Sequence, residues 1–310
     1  MSSRERRRTL SKKAFLFPGQ GAQKIGMGQS FYEADADARA VFEEASEILG
    51  YDMKALCFEE NEKLNLTQYT QPAMVTTGIA IMKVVEKQGL LPDTAAGLSL
   101  GEYEALYAAG ALSVTDAIRV VARRGELMEA AVPAGVGAMA AVLGAEAALI
   151  EETLSDIPEV WIANYNCPGQ IVISGKKEAV EAAAEALKAR GVKRVLMLNV
   201  SGPFHSGLLR EAGEELGKVL AETEIHPLRI PYYANVTGDK VEDAAKVREL
   251  LTEQVYSSVR FEQSIRNMLA AGVDTFYELG PGKTLAGFVK KIDRAATVVN
   301  IETMEDLSKV

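Results

Sequence analysis

The pentapeptide Gly97-Leu98-Ser99-Leu100-Gly101 restricts the fold more than any other stretch of the chain. An apolar run, Thr94 to Leu98, enters it, and an Ala-rich helical run from about Leu100 to Ala109 leaves it. A strand that turns this sharply into a helix needs glycines two before and two after the serine, where side chains would collide. It exposes the serine above a sheet, where the helix amino terminus favours developing negative charge. An ordinary βα turn with a capping serine has the same pattern, so the motif alone leaves both readings open.

Elsewhere the periodicity alternates between short strand-like and longer helix-like runs, which predicts an α/β fold. Ala14–Phe17 reads as a strand ending in the loop Pro18-Gly19-Gln20-Gly21. A single helix is expected from about Phe31 to Leu49, closed by Gly50, and another is expected to open at Pro72 and stop at Gly89. Between Gly137 and Val200 the order changes to strand, helix, strand, strand, helix, strand, the βαββαβ arrangement of a ferredoxin-like unit, with Asn166-Cys167-Pro168-Gly169 as the turn between its middle strands. Strand Ile230–Val236 and helices Val247–Tyr256 and Phe261–Ala271 resume the alternation. The expected architecture is therefore a large α/β-hydrolase-like domain with a mostly parallel sheet (residues 1–136 and 201–310), carrying an inserted small ferredoxin-like domain (137–200). Residues 1–12, with Arg4, Arg6, Arg7 and Arg8, read as a disordered basic arm.

A serine hydroxyl needs a base within hydrogen-bonding reach, and the chain has two histidines. His226 precedes a proline and reads as a surface or edge residue. His205 lies in the Gly/Pro loop where the inserted segment rejoins the larger one, and loops at such junctions concentrate ligand sites. His205 is the expected base. Several carboxylates lie between Ser99 and His205, but none stands alone at a strand end to orient the imidazole. A backbone carbonyl is the alternative.

The helix from Thr115 to Ala131 places Ala117, Val120, Val121, Leu127, Met128 and Ala131 on one stripe, and Arg119, Arg123, Glu126 and Glu129 opposite. Arg124 falls within the apolar stripe. A guanidinium there must meet an anion or reach water. That anion is either a core carboxylate in a structural ion pair or the carboxylate of a substrate.

Hydrophobic residues make up 48% of the 310 and charged residues 25%, as in a globular chain with a sizeable core. A net charge of −9 argues against a general nucleic-acid binder. No apolar run approaches the roughly 20 residues that span a bilayer, so no membrane partner is expected and a cytoplasmic location is. Two cysteines and two histidines offer little for a disulfide framework or a metal site, and no metal is expected.

With these residues in view, the chain resembles the malonyl-coenzyme A:acyl carrier protein transacylase family of fatty-acid synthesis. The resemblance rests on Phe17-Pro18-Gly19-Gln20-Gly21, the elbow with Glu102, Arg124-Gly125-Glu126-Leu127-Met128, Asn166-Cys167-Pro168-Gly169-Gln170 and Gly202-Pro203-Phe204-His205-Ser206. It implies an acyltransferase in which Ser99 is acylated, His205 is its base and the backbone carbonyl of Gln254 orients His205. The amides of Gln20 and Leu100 would form the oxyanion hole, Arg124 would pair with the malonyl carboxylate and Asn166 would help hold the substrate. Phe204 is similar to the malonyl-selecting form, where methylmalonyl-preferring relatives usually carry a serine. Malonyl-coenzyme A and the phosphopantetheine form of an acyl carrier protein are the implied partners, with no permanently bound cofactor. The carrier would meet a basic patch: Lys188, Arg190, Lys193 and Arg194, or Lys290, Lys291 and Arg294. A polyketide acyltransferase, a serine thioesterase or hydrolase, and a non-catalytic scaffold remain the rival readings.

Overall fold

A computed structural model describes residues 11–133, 135–200 and 202–309. It is a mixed α/β structure built on two sheets. The first joins β1 (Lys12–Phe17), β2 (Thr94–Gly97), β7 (Tyr232–Tyr233), β8 (Lys240–Val241), β9 (Val273–Leu279) and β10 (Thr297–Ile301) in the order β10-β9-β1-β2-β7-β8. Its pairings are parallel except for β7 with β8. The second joins β3 (Gly137–Leu143), β4 (Val160–Cys167), β5 (Gln170–Lys176) and β6 (Arg194–Met197) in the order β4-β5-β3-β6, antiparallel throughout.

Strand β1 shows why the first sheet is covered on both faces. Phe15 and Phe17 pack into a large cluster with residues of the Ala36–Leu49, Thr67–Lys87 and Val114–Ala130 helices. Ala14 and Leu16 point the other way, toward Phe261, Ile265, Leu285 and Phe288 of the Phe261–Ala270 and Thr284–Ile292 helices. A strand buried on both faces is apolar at successive positions, as Ala14-Phe15-Leu16-Phe17 is. In the second sheet the faces divide by alternation. Ala140 and Val142 pack with Ile150 and Leu187 of the Ala147–Ser155 and Lys177–Ala189 helices, while Met139 joins the large cluster of the first sheet. Backbone bonds Tyr165 N to Val259 O and Val259 N to Ala163 O, both 2.8 Å, tie β4 to the segment before the Phe261–Ala270 helix.

Several sequence expectations shift in physical detail. The helix expected from Phe31 to Leu49 is two, Gln29–Ala34 and Ala36–Leu49, because Asp35 leaves the helical conformation and caps the second by accepting from Asp37 N and Ala38 N. Pro72 lies inside the Thr67–Lys87 helix instead of opening it. The preceding turn is held from outside: Glu129 Oε2 accepts from Gln68 N, and Thr70 Oγ1 donates to the Leu64 and Leu66 carbonyls. The strand expected over Ile230–Val236 shrinks to Tyr232–Tyr233. Asn166 and Cys167 are not in a turn, since β4 runs through them with a register shift between Tyr165 and Cys167. Lys12 already belongs to β1, so it is no part of an arm, and residues 1–10 lie outside the described residues.

Candidate active site

Strand β2 ends at Gly97 and the next helix begins at Gly101, with Ser99 between them at φ 54°. The glycines are required by contact. A Cβ on Gly97 would fall 1.8 Å from the Gly101 carbonyl carbon, and one on Gly101 would fall 2.1 Å from Phe17 O. The left-handed conformation of Ser99 is sparsely populated by L-residues and keeps its side chain clear of both strand and helix.

His205, also at a positive φ of 56°, reaches this serine with Nε2 2.6 Å from Ser99 Oγ. Its Nδ1 lies 2.8 Å from the carbonyl of Gln254, the last residue of the Val247–Gln254 helix, where carbonyls lack an intrahelical donor. A carbonyl can only accept, so Nδ1 carries the proton and Nε2 presents its lone pair to the serine hydroxyl. The imidazole is 3% exposed. Burial, reinforced by the Arg124 cation, pulls its pKa down to about 4 against the opposing Gln254 carbonyl.

Arg124 is 1% exposed, and its Nη2 donates to Gln254 Oε1 at 3.0 Å and to Ser99 Oγ at 3.3 Å. Its Nε has no hydrogen-bond partner, and the guanidinium carbon sits 5.5 Å from the Tyr103 ring centroid. No carboxylate forms an ion pair with it among the described residues. The nearest acid in the network, Glu102, is reached through the Gln254 side chain, whose Nε2 donates to Glu102 Oε2 at 2.8 Å. The adjacent Arg123 is exposed and pairs with Glu126 at 2.7 Å.

The loop after β1 closes over the elbow so tightly that a Cβ on Gly19 would lie 2.5 Å from Leu98 O. The backbone amides of Gln20 and Leu100 donate to no acceptor among the described residues. Gln20 is held by its side chain instead, Nε2 donating to Thr67 Oγ1 at 3.1 Å. A cavity of about 670 Å³ opens over these groups, with Gln20, Ser99, Arg124, Asn164, Asn166, Phe204 and His205 in its wall. Asn166 is 6% exposed and its Oδ1 has no partner.

All seven residues singled out in the sequence thus converge on one locality. His226 stays apart, with a side chain 44% exposed beside Glu224. Sequence reasoning passed over Asn235, whose Oδ1 accepts from Ser99 N and whose Nδ2 donates to Gly97 O, both at 2.7 Å. It also gave no role to Glu102 beyond its place in the motif. No cluster of three or more His, Cys, Asp or Glu residues suited to a metal occurs among the described residues, and no described helix is long and apolar enough to cross a membrane.

Residues 14–305 match the family model described as "Acyl transferase domain". The malonyl CoA-acyl carrier protein transacylase of Bacillus subtilis (strain 168) is 48% identical over 303 residues, covering 96% of each chain. The crystal structure of the transacylase of the same name from Clostridium perfringens superposes with a TM-score of 0.94 at 44% identity, again over 96% of each chain. A malonyl-transacylase solved in complex with a type II polyketide synthase acyl-carrier protein superposes at 0.93 with 38% identity, over 96% of this chain and 98% of that one. At such identity over nearly the whole length, the chain belongs to the malonyl CoA-acyl carrier protein transacylase family of acyl transferases.

Proposed function

We propose that the protein moves a malonyl group from malonyl-coenzyme A to the phosphopantetheine thiol of an acyl carrier protein, in fatty-acid synthesis, through a malonyl-Ser99 intermediate. The observation that carries this reading is the meeting of two groups at one oxygen: Ser99 Oγ has His205 Nε2 at 2.6 Å and Arg124 Nη2 at 3.3 Å.

Ser99 Oγ attacks the thioester carbonyl while His205 Nε2 takes its proton. The resulting oxyanion is held by the unengaged amides of Gln20 and Leu100. As the C–S bond breaks, His205 returns the proton to the departing thiolate, and coenzyme A leaves as the thiol. The carrier's thiol then gives its proton to His205 and attacks the acyl-serine ester, and the protonated His205 restores the hydroxyl of Ser99. Gln254 O keeps the proton on Nδ1 through both halves, the task an aspartate performs in a hydrolase triad. Arg124 meets the distal carboxylate of the malonyl group, and its Nε, without a partner in the protein, is one of the donors available to it. The unpartnered Oδ1 of Asn166 supports a contact with the substrate. Every group this chemistry requires comes from the chain, so no permanently held cofactor or metal is part of the proposal.

The βαββαβ segment has its edge strands and pairings in ferredoxin-like order. We read residues 137–200 as a ferredoxin-like domain inserted into an α/β-hydrolase-like domain formed by 1–136 and 201–310, with the cavity between them. A cytoplasmic site of action goes with this function. The complex of a structural neighbour with a polyketide carrier favours one second reading, the same transfer to a polyketide carrier.

The test is intact mass measurement after exposure to malonyl-coenzyme A. A persistent adduct of one malonyl group, absent in Ser99→Ala and discharged by holo carrier protein, is expected. Rapid release of free malonate without a carrier would make the protein a hydrolase, and no adduct at all would leave it a scaffold.

A further inference from the structure

We infer that Asn235 is a positioning residue for the nucleophile elbow: its carboxamide clamps the backbone on both sides of Ser99. The inference rests on the reading of Ser99 as the acylated residue.

Strand β7 pairs with β2 in parallel, Ala95 opposite Tyr232 and Ala96 opposite Tyr233. The same register carries Asn235, two residues further on, to the level of Leu98, where β2 has ended and the backbone turns. Here the elbow leaves two groups without sheet partners, the N–H of Ser99 and the C=O of Gly97. Asn235 satisfies both, with Oδ1 accepting from Ser99 N and Nδ2 donating to Gly97 O at 2.7 Å each. One N–H and one C=O side by side need one acceptor and one donor on a short planar group. A carboxamide supplies both, whereas a carboxylate only accepts and an aliphatic side chain does neither.

Asn235 is itself fixed, being fully buried. Its N donates to Glu102 Oε2 at 3.2 Å, and its carbonyl accepts from Arg260 N at 2.8 Å. Gln254 Nε2, which serves Ser99 O at 2.7 Å and Glu102 Oε2 at 2.8 Å, also lies 3.2 Å from Asn235 Oδ1. The clamp therefore joins the elbow to the same glutamine whose carbonyl orients His205. Because Asn235 takes the Ser99 amide, the elbow amide left for an oxyanion is that of Leu100. Without the clamp, Ser99 is freed to relax from its left-handed conformation, and its Oγ moves relative to His205 and to the Leu100 amide.

The test is single-turnover acylation by malonyl-coenzyme A, followed by intact mass and expressed per folded molecule, for wild type, Asn235→Ala and Asn235→Asp. The aspartate variant keeps shape and the acceptor but loses the donor to Gly97 O. Ile150→Ala, a cavity variant in the core of the second sheet, controls for lost stability. Both Asn235 variants should acylate at least about tenfold more slowly, the scale of a displaced reacting atom, with the malonyl-coenzyme A KM within about twofold of wild type and Ile150→Ala at the wild-type rate. Wild-type rates in both Asn235 variants, a loss confined to KM, or an equal loss in Ile150→Ala would each overturn the inference while leaving the function intact. A wild-type protein that takes up no malonyl group overturns the function and, with it, the role of Asn235.

Discussion

Ser99 Oγ and His205 Nε2 stand 2.6 Å apart, and both residues hold left-handed backbone, φ 54° and 56°. Two chain segments about a hundred residues apart each bend unfavourably to bring one side chain to the other. Such strain persists only where surrounding contacts over-determine it. Here the contacts are the Asn235 clamp at the serine and the Gln254 carbonyl at the histidine.

The pH dependence of acylation should follow from the burial of His205. The base must be neutral, and burial together with Arg124 lowers its pKa from 6.5 to about 4. Activity should therefore hold steady from neutral pH down to about 5 and fall only as pH drops through about 4. The same depression makes the unfolded imidazole bind protons first, so its share of stability is lost as pH falls from 6.5 through about 4. Arg124→Met removes the repelling cation and should shift the acid limb of the profile upward. Stopped-flow pH jumps that find the limb unmoved in Arg124→Met would exclude electrostatic coupling between the two.

Arg124→Ala should separate malonyl from acetyl transfer. A buried charge-assisted hydrogen bond to a carboxylate is worth about 10- to 100-fold in binding. Malonyl kcat/KM should drop by at least that factor while acetyl kcat/KM changes little. Equal losses for both substrates would show that Arg124 serves Ser99 and Gln254, which it also contacts, and not the substrate's acid end.

These elements differ in how far the sequence reveals them. Ser99 is announced by glycines whose spacing is steric, His205 by the scarcity of imidazoles, and Arg124 by a charge on an apolar stripe. Each of those signals is local. Asn235 carries no local mark: an asparagine after a short strand is ordinary, and its partner lies 136 positions away. Gln254 acts through a carbonyl that every residue has, so only family resemblance pointed to it. The two-sheet architecture was readable from alternation, because apolar period follows which faces are covered. The break at Asp35 and the early start of the Thr67–Lys87 helix were not, since a single cap and a contact with Glu129 decide them.

Glu104 offers a stability test away from the chemistry. It is 1% exposed, both carboxylate oxygens lack partners, and burial pushes its pKa well above 4.5. Burial favours the protonated form in the folded state, so this contribution is fully present below pH 4.5 and is lost as pH rises above it. Glu104→Gln removes that dependence. Urea unfolding should show the variant gaining on wild type as pH rises above 4.5; a constant difference would mean that Glu104 does not titrate on unfolding.

The carrier protein should meet the face of β6. Of the basic residues considered for docking, Lys188 pairs with Glu185 and Arg190 with Glu152; Lys290 and Lys291 donate to the neutral oxygens Ala296 O and Gln170 Oε1, and Arg294 is exposed with no ion pair among the described residues, so nearness to the cavity decides between the two patches. Lys193 and Arg194 are exposed and form no ion pair among the described residues. Arg194 opens β6, four residues before Leu198 in the cavity wall, a reach of about 13 Å along extended chain. An acidic partner would find there two cations that no internal carboxylate neutralises. Reversing both, Lys193→Glu with Arg194→Glu, should raise the carrier KM about tenfold or more at low salt and proportionately less at high salt, where screening weakens the wild-type attraction as well. Acylation of Ser99 by malonyl-coenzyme A should be unchanged in the same variant. Unaltered carrier kinetics would move the docking face elsewhere, and slowed acylation would show that these cations serve coenzyme A instead.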